Sequence, residues 1–250
     1  MTDKQPAALE TKNERSESKS NTAKRYKTEK AELRRRIVSI VLLFVFVPAV
    51  IAVGMLEFND RYYYITASLI IICSFIPFLM LFDKRRPRAR ELVVIAVMTA
   101  LGVAGRAAFY MLPQFKPIAA TVIITGVSLG CEAGFITGAL TAFVSNMFFG
   151  QGPWTPWQMF AMGSIGWLAG VLYRKGVLRR SKLSLCIFGV IASTVIFGGI
   201  MNPASALMWS ETISWKIIMS YYITGIPVDL VRAVATFVFL WLGAEPMLEK

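Results

Sequence analysis

Eight long apolar runs dominate this 250-residue chain and restrict its fold more than any other feature. They lie at about 37–56, 63–82, 91–112, 117–130, 133–149, 157–173, 183–200 and 217–243. A helix of about 20 apolar residues is long enough to cross the hydrocarbon core of a bilayer. Because hydrophobic residues also make up 56% of the chain, the pattern predicts an all-α polytopic membrane protein rather than a soluble domain.

The distribution of Lys and Arg predicts how these helices are oriented. With a cytosolic N-terminus and eight crossings, 22 of the 27 basic residues fall in cytosolic segments and only 3 in outer connections. Such a bias follows the positive-inside rule. The two short runs, 117–130 and 133–149, could form one reentrant hairpin or two spans, but a single crossing would place the basic segment 174–182 outside. We therefore expect eight helices and two cytosolic termini.

Composition divides the chain into four parts. Residues 1–36 carry 11 basic and 6 acidic side chains, which is typical of a disordered cytosolic tail. Residues 37–82 form two additional transmembrane helices, 83–90 a basic cytosolic linker, and 91–250 a six-helix domain with most of the unusual polar residues. Since the basic residues flank apolar runs, the net charge of +12 indicates contact with the lipid bilayer and no nucleic-acid partner.

The residue content excludes several kinds of chemistry. The chain has no histidine, which removes histidine metal ligands and histidine-based triads. It has no GxxxxGK[ST] phosphate-binding loop, so it is not expected to use ATP by itself. Cys73, Cys131 and Cys186 are far apart and lie in or beside apolar runs. We expect them to be small buried side chains, with no metal, no bound cofactor and no enzyme activity.

The segment GQGPWTPWQMF joins two apolar runs at the predicted outer surface. Its Gly and Pro residues interrupt regular structure. Trp154 and Trp157 could belong to the aromatic belt at the headgroup level, or they could form a rigid lid over a ligand. The neighbouring amides of Asn146, Gln151 and Gln158 favour the lid and predict a binding pocket.

Three charged residues lie within the predicted spans. Arg106 is in the outer half of the third run; a buried arginine there usually faces a cavity or a partner, although it could also extend to the outer headgroups. Asp229 and Arg232 are three residues apart in the last run and therefore share one helical face. We expect a structural ion pair beside a break at Gly225 and Pro227; a place in a substrate cavity is the alternative.

Small residues recur every four positions in three of the runs. The pairs Gly134/Gly138 and Gly166/Gly170 predict close packing between helices of the domain. The stripe in the third run is longer and could serve a separate partner protein; it consists of Ala96, Ala100, Ala104 and Ala108.

Three segments together resemble the substrate-specific (S) components of energy-coupling factor (ECF) vitamin transporters: AVMTALGVAGRAAFYMLPQFKPIAATVIITG, EAGFITGALTAFVSNMFFGQGPWTPWQMFAMGSIGWLAG and YYITGIPVDLVRA. The resemblance covers about residues 91–250 and leaves out the tail and the first two helices. It implies a multi-pass subunit of the bacterial cytoplasmic membrane that captures a vitamin from outside. The loop is most similar to that of the cobalamin (corrinoid) branch, while other B vitamins and queuosine precursors stay open.

The resemblance also implies partners. The subunit would dock through Ala96 and Ala100 on a membrane coupling subunit that carries two cytosolic ATPases, and would release its ligand by toppling in the membrane. ATP would be used by those ATPases. We expect the substrate-binding residues to be Arg106, Tyr110, Asn146, Gln151, Trp154, Trp157, Gln158, Asn202 and Trp209.

Two other classes of protein compete with this interpretation. A self-contained secondary transporter of a small organic solute would use Asp229 and Arg232 as its coupling pair. An intramembrane enzyme or assembly factor is disfavoured, because the sequence contains no catalytic constellation.

Overall fold

The computed structural model describes residues 89–210, 212 and 214–248. The predicted cytosolic tail, the two additional helices at 37–82 and nearly all of the linker lie outside the described residues. Every regular element in the described part of the chain is a helix, which confirms the all-α prediction for this part.

Seven α-helices and one π-helical segment make up the described chain. They are α1 Ala89–Ala108, α2 Ile118–Leu129, α3 Cys131–Phe149, α4 Thr155–Arg174, α5 Lys182–Ile191, the π segment Ala192–Phe197, α6 Gly198–Trp209 and α7 Trp215–Leu248. Helix α5, the π segment and α6 follow one another without interruption over Lys182–Trp209. The described chain therefore contains six continuous helical stretches, which correspond to the last six apolar runs.

Three of these stretches are long and apolar enough to cross a membrane: Ala89–Ala108, Lys182–Trp209 and Trp215–Leu248. Helix α2 is also apolar but shorter. Large apolar side chains on the outer faces are exposed, among them Val93 at 61% and Val195 at 65%, as expected of surfaces that face lipid rather than water. The count of eight crossings and the cytosolic location of the termini stay predictions.

Glycines hold α2, α3 and α4 in close contact. Gly130 alone connects α2 to α3, with φ of 102°, a conformation that favours glycine. A Cβ atom at Gly134 would lie 2.7 Å from the Cα atom of Gly126, and one at Gly138 would lie 2.6 Å from the carbonyl carbon of Met162. Gly170 similarly faces the backbone of α3. The predicted packing role of the glycine pairs is confirmed.

Several predicted helix ends are wrong. The third run was predicted to extend to residue 112, but α1 ends at Ala108; conversely, α3 already begins at Cys131, two residues before the predicted start of the fifth run. The seventh run was predicted to end at residue 200, yet the helix continues to Trp209. It continues because Ala204 packs against Trp157 in a buried cluster, a tertiary contact that outweighs the helix-breaking tendency of the neighbouring proline.

The predicted break at Gly225 and Pro227 is also wrong, because α7 is continuous from Trp215 to Leu248. A proline in a helix removes one backbone hydrogen bond, which neighbouring helices in a membrane protein can tolerate. Gly225 has a packing role instead: a Cβ atom there would lie 2.9 Å from Cγ of Asn202. The missing side chain lets α6 and α7 approach.

Helix α2 is the centre of the bundle. Its residues from Ile118 to Val127 are all buried, and it contacts α1, α3, α4, α5 and α7. The buried side chains of Ile123, Ile165 and Leu240 belong to the same apolar core. This central position places the N-terminal end of α2 beside the polar residues described next.

Candidate functional site

A cavity of about 120 Å³ lies where the end of α1, the connection that follows it and the start of α2 meet α3, α4, the π segment and α7. Its polar lining side chains are all basic residues or glutamines. The complete lining consists of Arg106, Gln114, Lys116, Ile118, Ala119, Ala142, Gln158, Met162, Phe197 and Arg232.

Arg106 is held by α3. Its Nη1 atom donates hydrogen bonds of 2.7 Å to Ser145 Oγ and to Asn146 Oδ1, and its guanidinium lies 5.1 Å from the ring centroid of Phe149. These partners fix the guanidinium at the cavity wall. They leave its charge uncompensated, because within the described ranges no carboxylate lies within 4.0 Å of it.

Asn146 connects this arginine to α4. Its side chain is fully buried, and its Nδ2 atom donates to Thr155 Oγ1 at 3.0 Å and to Gln158 Oε1 at 2.9 Å. Since a guanidinium only donates hydrogen bonds, Asn146 must turn its oxygen toward Arg106 and its amide group toward α4. The orientation of the whole network therefore follows from one arginine.

A second polar group joins α6 and α7. Arg232 Nη1 donates to Asp229 Oδ1 at 2.6 Å, and Asn202 Nδ2 donates to Asp229 Oδ2 at 3.0 Å. Arg232 also contacts the ring of Phe197, with 4.0 Å from Cζ to the centroid. The expected ion pair is confirmed, and both of its side chains are only 11% exposed.

The connection between α1 and α2 closes the cavity on one side. Gln114 Oε1 accepts a hydrogen bond of 2.7 Å from Arg232 Nη2. Lys116 Nζ donates to the carbonyl oxygens of Phe109, Tyr110 and Leu112, just beyond the C-terminus of α1, where a cation is favourable. The pKa of Lys116 lies below its ordinary value because the ammonium loses water and, secondarily, because Arg106 is nearby.

The three tryptophans of the predicted substrate-binding set are not among the residues that line the cavity. Trp157 is only 6% exposed and packs in the cluster with Ala204; its indole nitrogen has no hydrogen-bond partner among the described residues. Trp154 stacks on Trp209 with ring centroids 6.4 Å apart. This pair connects the start of α4 to the end of α6.

The structure thus brings only part of the predicted substrate-binding set to the cavity. Arg106 and Gln158 line it, and Asn146 connects these two from behind. The other six predicted residues do not line it and make other contacts: Tyr110 stacks on Phe149, Gln151 donates to the Phe143 carbonyl, Asn202 binds Asp229, and Trp154, Trp157 and Trp209 pack as described. Whether these side chains bind substrate stays a prediction.

Sequence reasoning missed several residues of this site. Gln114 and Lys116 lie in a connection, and nothing in the sequence indicates where that connection folds. Ser145 and Thr155 look like ordinary small polar residues, although each is adjacent to a residue that was identified. Arg232 was not missed: it was expected in an ion pair, with a place in a substrate cavity as the alternative, and the structure shows both.

The two alanines predicted to dock a partner, Ala96 and Ala100, are both exposed on α1. Ala104 and Ala108, which continue their stripe, are exposed as well. The exposure makes this face available to a partner, but the docking role itself stays a prediction.

The fold and the cavity define the class first: a helical membrane protein with a small polar pocket among its helices. Residues 87–243 match the family of the ECF-type riboflavin transporter, S component. This match spans more than half of the chain and includes every residue that lines the cavity. The protein therefore belongs to this S-component family, as the sequence resemblance predicted.

Curated relatives are more distant and cover less of the chain. A UPF0397 protein of Vibrio atlanticus (strain LGP32) is 26% identical over 125 residues, which is 47% of this chain and 68% of the relative. A UPF0397 protein of Aliivibrio salmonicida (strain LFI1238) is 28% identical over 105 residues, covering 40% of this chain and 55% of the relative. No solved structure matches the chain significantly.

Proposed function

We propose that this protein is the substrate-binding subunit of an ATP-driven ECF importer in the bacterial cytoplasmic membrane. The supporting observation is that the family match, residues 87–243, coincides with the helices that enclose the polar cavity. In this proposal the cavity captures a vitamin-type solute from outside. A coupling subunit with two cytosolic ATPases then drives its release inside.

The name of the matched family favours a ligand smaller than a corrinoid. That name specifies riboflavin, whereas the loop resemblance predicted cobalamin. Pockets for organic ligands usually have volumes of about 300–1,000 Å³, and the cavity of about 120 Å³ must enlarge even for a flavin. A corrinoid would require a much larger rearrangement of the same helices. We therefore take flavins, both riboflavin and its 5′-phosphate, and not cobalamin, as the first compounds to test.

Purification tests the binding role directly. The full chain is purified in detergent, heat-denatured, and the released small molecules are identified by absorbance and mass spectrometry. The proposal expects a vitamin or related compound near one equivalent, and a rise in melting temperature when that compound is added back. An empty protein whose melting temperature responds to no vitamin in a panel would contradict it.

The exposed alanines on α1 support a test of the partner. Replacing Ala96 and Ala100 with Phe should abolish ATP-dependent uptake and copurification with the coupling subunit, while ligand binding is kept. Phe at Ile187 and Val195, which are 52% and 65% exposed on another helix, is the matched control and should leave uptake intact. Lost binding in the alanine variant, or lost uptake in both variants, would argue against docking through α1.

A self-contained secondary transporter is the second candidate, because Asp229 is a buried carboxylate in a transmembrane helix, and such residues often couple transport to ions. Its links to Arg232 and Asn202 suit a structural role better. Proteoliposomes containing this chain alone separate the two candidates: uptake that follows an ion gradient and is lost in Asp229→Asn would support the secondary transporter.

A further inference from the structure

We infer that the ligand of this cavity is an organic anion, whose carboxylate or phosphate group binds between Arg106, the first turn of α2 and the side-chain amides of Gln114 and Gln158. The inference rests on the proposed binding function and narrows the class of substrate. It follows from the charges around the cavity and from the direction of each hydrogen bond.

The cavity has an excess of positive charge. Arg106, Lys116 and Arg232 line it, and no acidic side chain is among the lining residues. Asp229 lies behind the wall and compensates Arg232 alone. Two cations therefore have no acidic partner in the part of the chain that the structure describes, and a cation beside an apolar interior is costly without a counter-charge.

Arg106 keeps donors for a ligand. Its two hydrogen bonds both leave from Nη1, so Nη2 and Nε have no partner among the described residues. Lys116 differs, since its three donors are directed to backbone carbonyls. Lys116 would thus act on the ligand through its charge, and Arg106 through direct hydrogen bonds as well.

The hydrogen bonds of Arg106 and Asn146 determine which group of the Gln158 amide faces the cavity. Asn146 must turn its oxygen to Arg106, so its Nδ2 group faces Gln158 and requires the glutamine's oxygen as acceptor. The Nε2 group of Gln158 is then the part left for a ligand. The amide of Gln158 on α4 could in principle donate or accept a hydrogen bond. Because Arg106 on α1 orients Asn146, Gln158 can only offer a donor to the cavity.

A hydrogen bond from Arg232 determines the orientation of the Gln114 amide in the same way. Arg232 Nη2 donates to its oxygen, which again leaves the Nε2 group for the cavity. The two glutamines that line the cavity therefore both offer N–H groups, although a glutamine in isolation could offer either a donor or an acceptor. An acceptor-rich, negatively charged group fits this lining better than a neutral donor does.

The start of α2 adds backbone donors. Ile118 and Ala119 line the cavity, and no side chain caps this helix. The N–H of Thr121 bonds to the Pro117 carbonyl, while those of Ile118, Ala119 and Ala120 have no acceptor among the described residues. The N-terminal end of a helix carries a partial positive charge and is a common site for carboxylates and phosphates.

Pairs of acidic and neutral compounds test this inference on the purified full chain. The probes are nicotinate against nicotinamide, pantothenate against panthenol, and riboflavin 5′-phosphate against riboflavin, measured by calorimetry and thermal shift in uncharged detergent. At least one acid should bind ten times or more tightly than its neutral partner, the order expected of one charge-assisted hydrogen bond. The nicotinate and pantothenate pairs test a carboxylate and the riboflavin pair tests a phosphate, so the comparison shows which anionic group the site prefers.

Two substitutions near the cavity and one control substitution test the proposed role of Arg106. Arg106→Gln should remove the preference for the acid, and Lys216→Gln, which deletes an exposed charge at the start of α7, should keep it. Because Arg106→Gln could prevent folding, Asn146→Asp is the second variant. Its carboxylate would neutralise Arg106 and accept from a rotated Gln158, so the fold is retained while the preference is lost.

Three results of the binding assays would overturn the inference. The neutral member of every pair could bind as tightly as the acid, no acid could bind at all, or phosphatidylglycerol in bicelles could saturate the site in place of the acids. A neutral ligand that binds tightly and is taken up with ATP would overturn the anion assignment while leaving the proposed transport function intact.

Discussion

Removing the carboxylate of Asp229 should destabilise the protein strongly. In Asp229→Ala, Arg232 would keep its charge in a place where its side chain is only 11% exposed, and Asn202 would lose an acceptor. With charge centres about 4 Å apart and an effective dielectric constant of about 20, the lost attraction is about 4 kcal/mol. Breaking one partner of a buried pair typically costs about 3–5 kcal/mol, so we expect a loss of this size.

The double variant Asp229→Leu/Arg232→Met shows whether the loss of stability comes from leaving Arg232 buried without its ion-pair partner. It replaces both charged side chains by apolar ones and should recover most of the loss, because a buried pair is often no more stable than an apolar replacement. Glu245→Ala is the surface control: its ion pair with Lys182 is 2.7 Å long but 54% exposed on the glutamate side, and it should cost at most about 1 kcal/mol.

The free energy of unfolding can be measured for all three variants in mixed micelles by denaturant titration, with tryptophan fluorescence as the signal. A cost for Asp229→Ala no larger than that of Glu245→Ala would refute the reasoning. So would a double variant as unstable as the single one, since the damage would then come from lost packing rather than from an unpaired cation.

Two further pairs of substitutions, each a test and its control, probe the packing and the polar network. Gly166→Ala would direct a Cβ atom at the carbonyl group of Gly134 and should cost about 1–3 kcal/mol, whereas Gly199→Ala, with no atom within 4 Å of its Cβ position, should be neutral or slightly stabilising; equal melting temperatures would contradict the close approach. Thr155→Ala removes the acceptor for Asn146 and should cost about 1 kcal/mol, while Thr155→Ser keeps the hydroxyl and should restore the wild-type melting temperature.

The secondary structure of the six-helix domain could be predicted largely from the sequence. Apolar length specifies where each helix lies, because a helix satisfies its own backbone and needs only a run of lipid-compatible side chains. The spacing of Gly134 and Gly138 likewise predicted a close contact. The exact ends of the helices could not be predicted. The stretch that was expected to end at residue 200 continues to Trp209, because its last part packs against Trp157.

Several residues of the candidate site could be predicted from the sequence, but the contacts between them could not. Arg106 was identified because a charged side chain within a membrane span is unusual, and Gln158 because its amide lies beside the Gly, Pro and Trp residues of the predicted lid. Their connection through Asn146 was not, since Arg106 and Asn146 are 40 positions apart. Lys116 and Gln114 gave no signal because the path of a connection depends on the helices around it.

The sequence by itself determined the helical class, the likeness to S components and the isolated arginine in a membrane segment. These follow from local composition and spacing, which are properties of neighbouring residues. Only the tertiary structure decided that Arg106 and Arg232 each turn a glutamine amide toward one cavity. The physical reason is that hydrogen-bond direction is set by the partner across space, and the partners of Gln114 and Gln158 come from other segments of the chain.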